Sequence, residues 1–279
     1  MIDGSLLRPT EFKFLEEQAF TGYDNDANMI KIAIMNLYLH KLDKANIEFH
    51  NPLTANKGGT YPGAQYDVIL ANPPFAGKIE KESILADIGL ETRDTELLFV
   101  KWFIDHLTVN GRAGVIVPNG VLFGSSKADK KVRELLLTTC DLQAVISLPS
   151  GVFKPYSGVG TAVLVFQKQP HPKFVWFYEL TADGFSLDDK RTPNIEKPLG
   201  DIPDVLAKWQ AKEEGPNSFR VPIERIQDNN WNLMAGRYKP LVVSTVKHDP
   251  PEKILGEIID FETKIANRAG KLQEAVKKK

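Results

Sequence analysis

The chain has 279 residues, 42% hydrophobic and 25% charged, with a formal net charge of −1. These proportions describe a globular protein and exclude a disordered or fibrous one, and near-neutrality is unusual for a protein that grips nucleic-acid phosphates unaided and suits one whose partner supplies much of that surface. The lone Cys140 excludes an intrachain disulfide, the five histidines show no zinc spacing, and no apolar run is long enough to span a membrane, so a cytoplasmic protein without a bound metal is expected.

From Ala27 to His40, the residues Met29, Ile30, Ala33, Ile34, Leu37 and Tyr38 fall at helical intervals, with Asp26 placed to cap the start. A strand precedes this helix, so Asp24 stands at its carboxyl end. Two readings of Asp24 stand there: it hydrogen-bonds the hydroxyls of a nucleoside ribose, as acidic residues do in dinucleotide folds, or it merely starts the helix. Ile47–His50 reads as a short strand ending at Asn51, which can donate and accept but carries no charge. Thr54 to Gly63, with Gly58, Gly59 and Pro62, reads as a loop.

Val68-Ile69-Leu70-Ala71 is an apolar run broken by Asn72-Pro73-Pro74-Phe75. In open α/β sheets the ligand crevice lies at the carboxyl ends of the strands, so a polar group that ends a buried strand is a candidate working residue. The chemistry of the four suits an exocyclic amine on a base, whose lone pair is delocalised into the ring. The Asn72 side-chain oxygen and the Pro73 carbonyl can accept its two hydrogens and favour a pyramidal nitrogen. Pro73 and Pro74 fix the backbone and add no competing donors. Phe75 offers a flat face worth roughly 1–3 kcal/mol to a base that has left its stack. The competing reading is a strand-ending turn, because Asn and Pro are common there.

Residues 76–94 are polar and aperiodic, either a lid over that site or a surface connection. Thr95–Leu107 returns to helix, with Leu97, Leu98, Trp102, Leu107, Phe99 and Phe103 forming a core face. Ala113–Val117 is a second buried strand, ended by a turn at Pro118-Asn119-Gly120. Lys127, Lys130, Lys131 and Arg133 read as a solvated helix face or as phosphate contacts. Leu142–Leu148 and Thr161–Phe166 are further strands, joined by a hairpin-like loop that carries Lys154. Val175–Tyr178 is one more, and Asp183 to Pro222 reads as loops with one helix near Val205, Leu206 and Trp209. After Pro250-Pro251 a helix begins in which Ile258, Phe261, Ile265, Ala269, Leu272 and Val276 form a coiled-coil-like seam, and Lys277 to Lys279 complement its dipole.

The order of these segments resembles the modification (M) subunit of type I restriction-modification systems, a DNA adenine-N6 methyltransferase family. The resemblance runs from Phe20-Thr21-Gly22-Tyr23-Asp24 and Ala33–His40, through Tyr66–Phe75, Glu96–Phe99 and Gly111–Phe123, to Ile146–Phe153 and Thr161–Phe166. Trp231-Asn232-Leu233 and Arg237-Tyr238 complete it. It implies a Rossmann-like class I methyltransferase α/β sheet with a carboxyl-terminal helical extension, S-adenosyl-L-methionine as methyl donor, and a flipped adenine in double-stranded DNA as acceptor. In that reading Asn72, Pro73, Pro74 and Phe75 are catalytic, Asp24 and Asn51 bind the cofactor, and the partners are a specificity subunit and a restriction subunit.

One part of the family pattern is not found. The glycine-rich cofactor loop should precede Gly22–Asp24, but Met1 to Ala19 holds a single glycine, Gly4. The expectation is therefore an incomplete sheet lacking its first strand and that loop, an incomplete cofactor site, and a fragment not competent alone. Its divisions would be residues 1–170, a truncated methyltransferase core; 171–245, a loop-rich remainder of the catalytic domain; and 246–279, a helix for partner contact. The alternative is a non-catalytic remnant serving as scaffold for the specificity subunit. A methyltransferase acting on RNA or on protein glutamine is a weaker third reading.

Overall fold

The computed structural model describes residues 7–54, 65–169, 172–239 and 250–277, and the chain divides into two compact units, Met1–Lys239 and Pro240–Lys279. The glycine-containing loop expected from Thr54 to Gly63 lies almost wholly outside the described residues, as do Gly4, Lys278 and Lys279.

The first unit opens with α1 (Pro9–Glu17), β1 (Thr21–Asp24), α2 (Ala27–Leu39), β2 (Asn46–Phe49) and β3 (Tyr66–Ala71). It continues through α3 (Thr95–His106), β4 (Leu107–Pro118), α4 (Asn119–Phe123), α5 (Lys127–Thr138), β5 (Asp141–Leu148), β6 (Thr161–Gln167) and β7 (Phe174–Glu179). It closes with α6 (Ile202–Trp209), β8 (Ser218–Pro222) and α7 (Ile223–Asp228). The caps explain where two helices begin: Asp26 accepts the Asn28 N–H at 2.7 Å to start α2, and Ser126 and Asp129 form a reciprocal capping box on α5.

Six strands form one mixed sheet in the order β3-β4-β6-β5-β7-β8. β3 runs parallel to β4, β6 is antiparallel to both β4 and β5, β7 is parallel to β5, and β8 closes the edge antiparallel to β7. β4 and β5 therefore point the same way as β3, and the carboxyl ends of all three share one edge. β1 and β2 pair in parallel as a separate two-stranded sheet.

The main core lies between the sheet and helices α3 and α5, where Leu98, Val100, Leu107, Val115, Leu136, Leu142, Leu164 and Phe166 are fully buried. A smaller cluster on the other side gathers Ala144, Trp176, Tyr178, Leu180 and Val205. At the β7–β8 edge Phe177 and Phe219 stack with centroids 5.5 Å apart.

Three expectations need correcting. The turn at Pro118-Asn119-Gly120 is the start of helix α4. The stretch up to Pro222 holds a strand, β8, whose burial depends on pairing with β7. Arg133 does not belong to a solvated face: it is 2% exposed, and its guanidinium donates to the backbone carbonyls of Trp231 (2.9 Å), Val121 (2.9 Å) and Gly124 (2.7 Å). Lys127, Lys130 and Lys131 are exposed as expected.

In the second unit, α8 (Pro251–Lys277) is a single helix about 40 Å long on the usual rise per residue. Ile258, Phe261, Ile265, Leu272 and Val276 are exposed along it. Among the described residues no helix is long and apolar enough to cross a membrane.

Candidate active site

The carboxyl end of β3 delivers the tetrapeptide to the edge shared with β4 and β5. Pro73 is buried, Phe75 is half-buried, and Asn72 and Pro74 are exposed. Gly77 holds the following loop close to α3, where the Thr95 N–H donates to the Gly77 carbonyl at 3.0 Å. A Cβ at Gly77 would stand 2.6 Å from the Thr95 hydroxyl, so the approach requires glycine. Residues 76–94 are anchored at both stems by the Lys78–Asp94 bridge and by the Arg93 guanidinium, which donates to the Ile79 carbonyl at 3.0 Å. Ile88, 2% exposed, pins the segment to the core.

Five of the six residues named from the sequence line one cavity of about 670 Å³: Asp24, Asn51, Asn72, Pro73 and Pro74. That is within the range of small-molecule sites. Asp24 ends β1 with one carboxylate oxygen accepting the Asp26 N–H at 2.8 Å. Asn51 follows β2, and its side-chain oxygen accepts the Leu53 N–H at 3.0 Å, which fixes the turn and leaves the NH₂ as its donor. Tyr23 and Tyr66 share a hydrogen bond between their hydroxyls at 2.8 Å, and His50 meets the Tyr23 ring edge-on at 5.8 Å.

Phe75, the sixth residue, lies outside that lining and meets Phe153, from the loop after β5, edge to face at 5.1 Å. The sequence assigned Phe153 no role, although the same strand-end logic that singled out Phe75 applies to it. On this edge, too, the Asn119 N–H donates to the Gly160 carbonyl at 2.9 Å. Lys154 is drawn to Asp189 at 3.3 Å. The buried atoms Asn119 Oδ1 and Thr161 Oγ1 make no hydrogen bond among the described residues.

The residues present suit a nucleoside-bearing cofactor in part. A carboxylate and an amide end adjacent strands beside a cavity of suitable size, while the described walls contain no glycine-rich loop whose backbone approaches it.

An α/β sheet of this kind, with an Asn-Pro-Pro-Phe segment ending a strand beside a cavity, defines a class I methyltransferase fold. The profile of the N-6 DNA methylase family matches residues 8–245, and the chain belongs to that family. It is 32% identical over 249 residues to the type I restriction enzyme EcoEI methylase subunit of Escherichia coli, covering 87% of this chain and 50% of that protein. It is 30% identical to the EcoKI methylase subunit of the same species, covering 78% of this chain and 44% of the relative. Among solved structures, a chain from a study of complex assembly in the type I restriction-modification system superposes with a TM-score of 0.72 at 26% identity, over 99% of this chain and 58% of the other. A type I modification subunit from Vibrio vulnificus gives 0.66 at 26% identity, over 78% and 46%. The chain thus spans about half the length of the curated relatives it matches.

Proposed function

We propose that this chain is the amine-activating part of a site-specific DNA adenine-N6 methyltransferase, the modification subunit of a type I restriction-modification system. The observation that carries this reading is the convergence of Asp24, Asn51, Asn72, Pro73 and Pro74 on one cavity, with Phe75 set against Phe153 beside it. The Asn72 side-chain oxygen and the Pro73 carbonyl accept the two hydrogens of the adenine amine and localise its lone pair for attack. Phe75 stacks on the base once it has turned out of the duplex, offsetting part of the stacking lost there. Asp24 holds ribose hydroxyls of S-adenosyl-L-methionine, with Asn51 near its adenine. The cofactor, when bound, supplies an electrophilic methyl group.

Double-stranded DNA, a specificity subunit and a restriction subunit are the partners in this reading. The exposed apolar seam of α8 is the surface offered to the specificity subunit. A net charge of −1 agrees with a subunit whose partners supply much of the DNA-binding surface.

The test is Asn72→Ala in the assembled modification complex, followed by methyl incorporation into DNA. Loss of one aligned acceptor is expected to lower turnover by about 10²–10³-fold. Undiminished transfer would remove Asn72 from the amine-activating role. A second reading, a non-catalytic scaffold for the specificity subunit, is favoured by the separation of β1 and β2 from the main sheet. In that case Asn72→Ala leaves the complex assembled and there is no methyl transfer to lose.

A further inference from the structure

The loop between β5 and β6 carries a second aromatic residue besides Phe153. Tyr156 stands at the tip of the turn 151–157 and is 96% exposed. Among the described residues its ring pairs with no other ring and its hydroxyl with no hydrogen-bond partner. A lone exposed ring needs no explanation by itself. The bracing of this one does. Gly151 opens the turn at a φ of +98°, so close to its neighbours that a Cβ there would lie 2.5 Å from the Leu187 carbonyl oxygen. The Lys154 ammonium is 3.3 Å from the Asp189 carboxylate, and the Ser157 N–H donates to the Phe153 carbonyl at 3.0 Å. The Ser157 hydroxyl accepts the Val159 N–H at 3.2 Å, and the Gly160 carbonyl takes the Asn119 N–H from α4. The turn is thus tied to the segment after β7, to itself and to α4, and it holds an aromatic side chain out in water. Three residues earlier, the half-buried Phe153 turns inward against Phe75. One hydrogen-bonded turn therefore presents an inner ring and an outer ring, on the edge of the sheet where Asn72 stands.

We infer that Tyr156 is a wedge for the DNA duplex, entering the space that the target adenine vacates when it turns out of the stack, a role that rests on the methyltransferase reading. Extruding a base breaks its pairing and uncovers the faces of both neighbouring base pairs. A half-buried ring such as Phe75 can receive the extruded base but cannot reach the gap. An exposed ring beside it can. Aromatic and apolar side chains inserted between base steps return part of the lost stacking. The bracing matters because a loose loop would lose, in being ordered on the DNA, much of what that stacking returns. The turn holding Tyr156 is already ordered by Gly151, Lys154 and Ser157. Tyrosine also carries a hydroxyl at the far end of its ring, which can meet the pairing edge of the thymine left without its partner.

The test uses the assembled modification complex and two duplexes with 2-aminopurine at the target position. In one the target faces thymine. In the other it faces a pyrene nucleotide, whose large flat ring fills the vacated space without help from the protein. Tyr156→Ala is expected to weaken binding of the first duplex, followed by fluorescence titration, by roughly 5- to 150-fold, and to leave binding of the pyrene duplex within about threefold of the parent. Tyr156→Phe keeps the ring and should stay within about threefold of the parent on both. Because the side chain is exposed, neither change disturbs the core. An equal loss on the two duplexes, or a loss below about twofold on the first, would overturn the wedge. A parent complex that brightens the probe and methylates DNA while the alanine variant matches it on both duplexes sinks the wedge alone. A parent that does neither sinks the methyltransferase reading, and the wedge with it.

Discussion

Phe75 and Phe153 meet edge to face, with ring centroids 5.1 Å apart and planes inclined at 69°. One ring ends the β3 segment and the other stands in the loop after β5, so two strands that are not neighbours in the sheet are joined through an aromatic pair at their carboxyl edge. Such a pair is worth about 0.5–1.5 kcal/mol beyond its buried area and sets the angle of each ring. Phe153 therefore holds Phe75 in place and, in the proposed reading, presents a second aromatic surface to a base.

Phe153→Ala is expected to weaken binding of a duplex carrying 2-aminopurine at the target position by roughly 5- to 150-fold, the equivalent of about 1–3 kcal/mol. A fluorescence titration of the assembled modification complex measures this. Phe153→Tyr keeps the ring and should keep most of the affinity. A loss of less than about twofold for the alanine variant would take Phe153 out of the base site.

Arg133 makes a stability prediction that involves no ligand. Its guanidinium donates to three backbone carbonyls from two segments, Val121 and Gly124 at α4 and Trp231 far along the chain, and burial lowers its pKa from the usual value for arginine. No single-point donor reproduces that planar fork. Arg133→Ala leaves those carbonyls without their donor and is expected to cost about 3 kcal/mol or more. Arg133→Lys should recover only a minor part. Urea denaturation measures both variants; a lysine variant as stable as the parent would mean that charge alone, and not the fork, secures these segments.

Much of the sheet is legible in the sequence for a simple physical reason. Strands such as β3, β4 and β5 contain apolar runs too short for a buried helix and bounded by turn residues, so run length decides between helix and strand. β8 is not legible in the same way. Ser218-Phe219-Arg220-Val221-Pro222 becomes a strand because Val221 pairs with Val175 and Phe219 stacks on Phe177, contacts supplied by residues more than forty positions away. Arg133 is hidden for a related reason. Beside Lys130 and Lys131 it reads as part of a charged face, and only the folded positions of Gly124 and Trp231 reveal the carbonyls that draw it inward. The site divides likewise: strand-end logic locates Asp24, Asn51 and Asn72, while the partnership of Phe75 with Phe153 depends on β6 reversing the chain between β4 and β5.

Cys140 yields a pH dependence. Its thiol is fully buried, and burial pushes its pKa up to about 11. The unfolded thiol titrates near 8.5, so the folded value is raised, and the stabilising effect is complete below that pH and is lost as pH rises towards 11. Stability should fall over this window by an amount on the order of 3 kcal/mol. Cys140→Ala should flatten that part of the curve, as read from urea midpoints between about pH 8 and pH 11. An unchanged slope in the variant would assign the loss to other groups.

Asp24 makes the last prediction, and it separates the geometry of the cofactor site from its completeness. The Asp26 N–H occupies one Asp24 oxygen at 2.8 Å, which orients the carboxylate at the end of β1. Among the described walls of the cavity no glycine-rich backbone approaches it, and in the proposed reading the cradle for the rest of a nucleoside cofactor is supplied by another part of the assembled complex. The chain alone is therefore expected to bind S-adenosylhomocysteine with a dissociation constant weaker than about 10 μM by calorimetry, while the assembled complex binds more tightly. In the complex, Asp24→Ala removes a charged acceptor worth about 1.5–3 kcal/mol, and affinity should fall roughly 10- to 150-fold. Low-micromolar binding by the chain alone would mean that its own residues already complete the site; unchanged affinity in the variant would mean that Asp24 only starts α2.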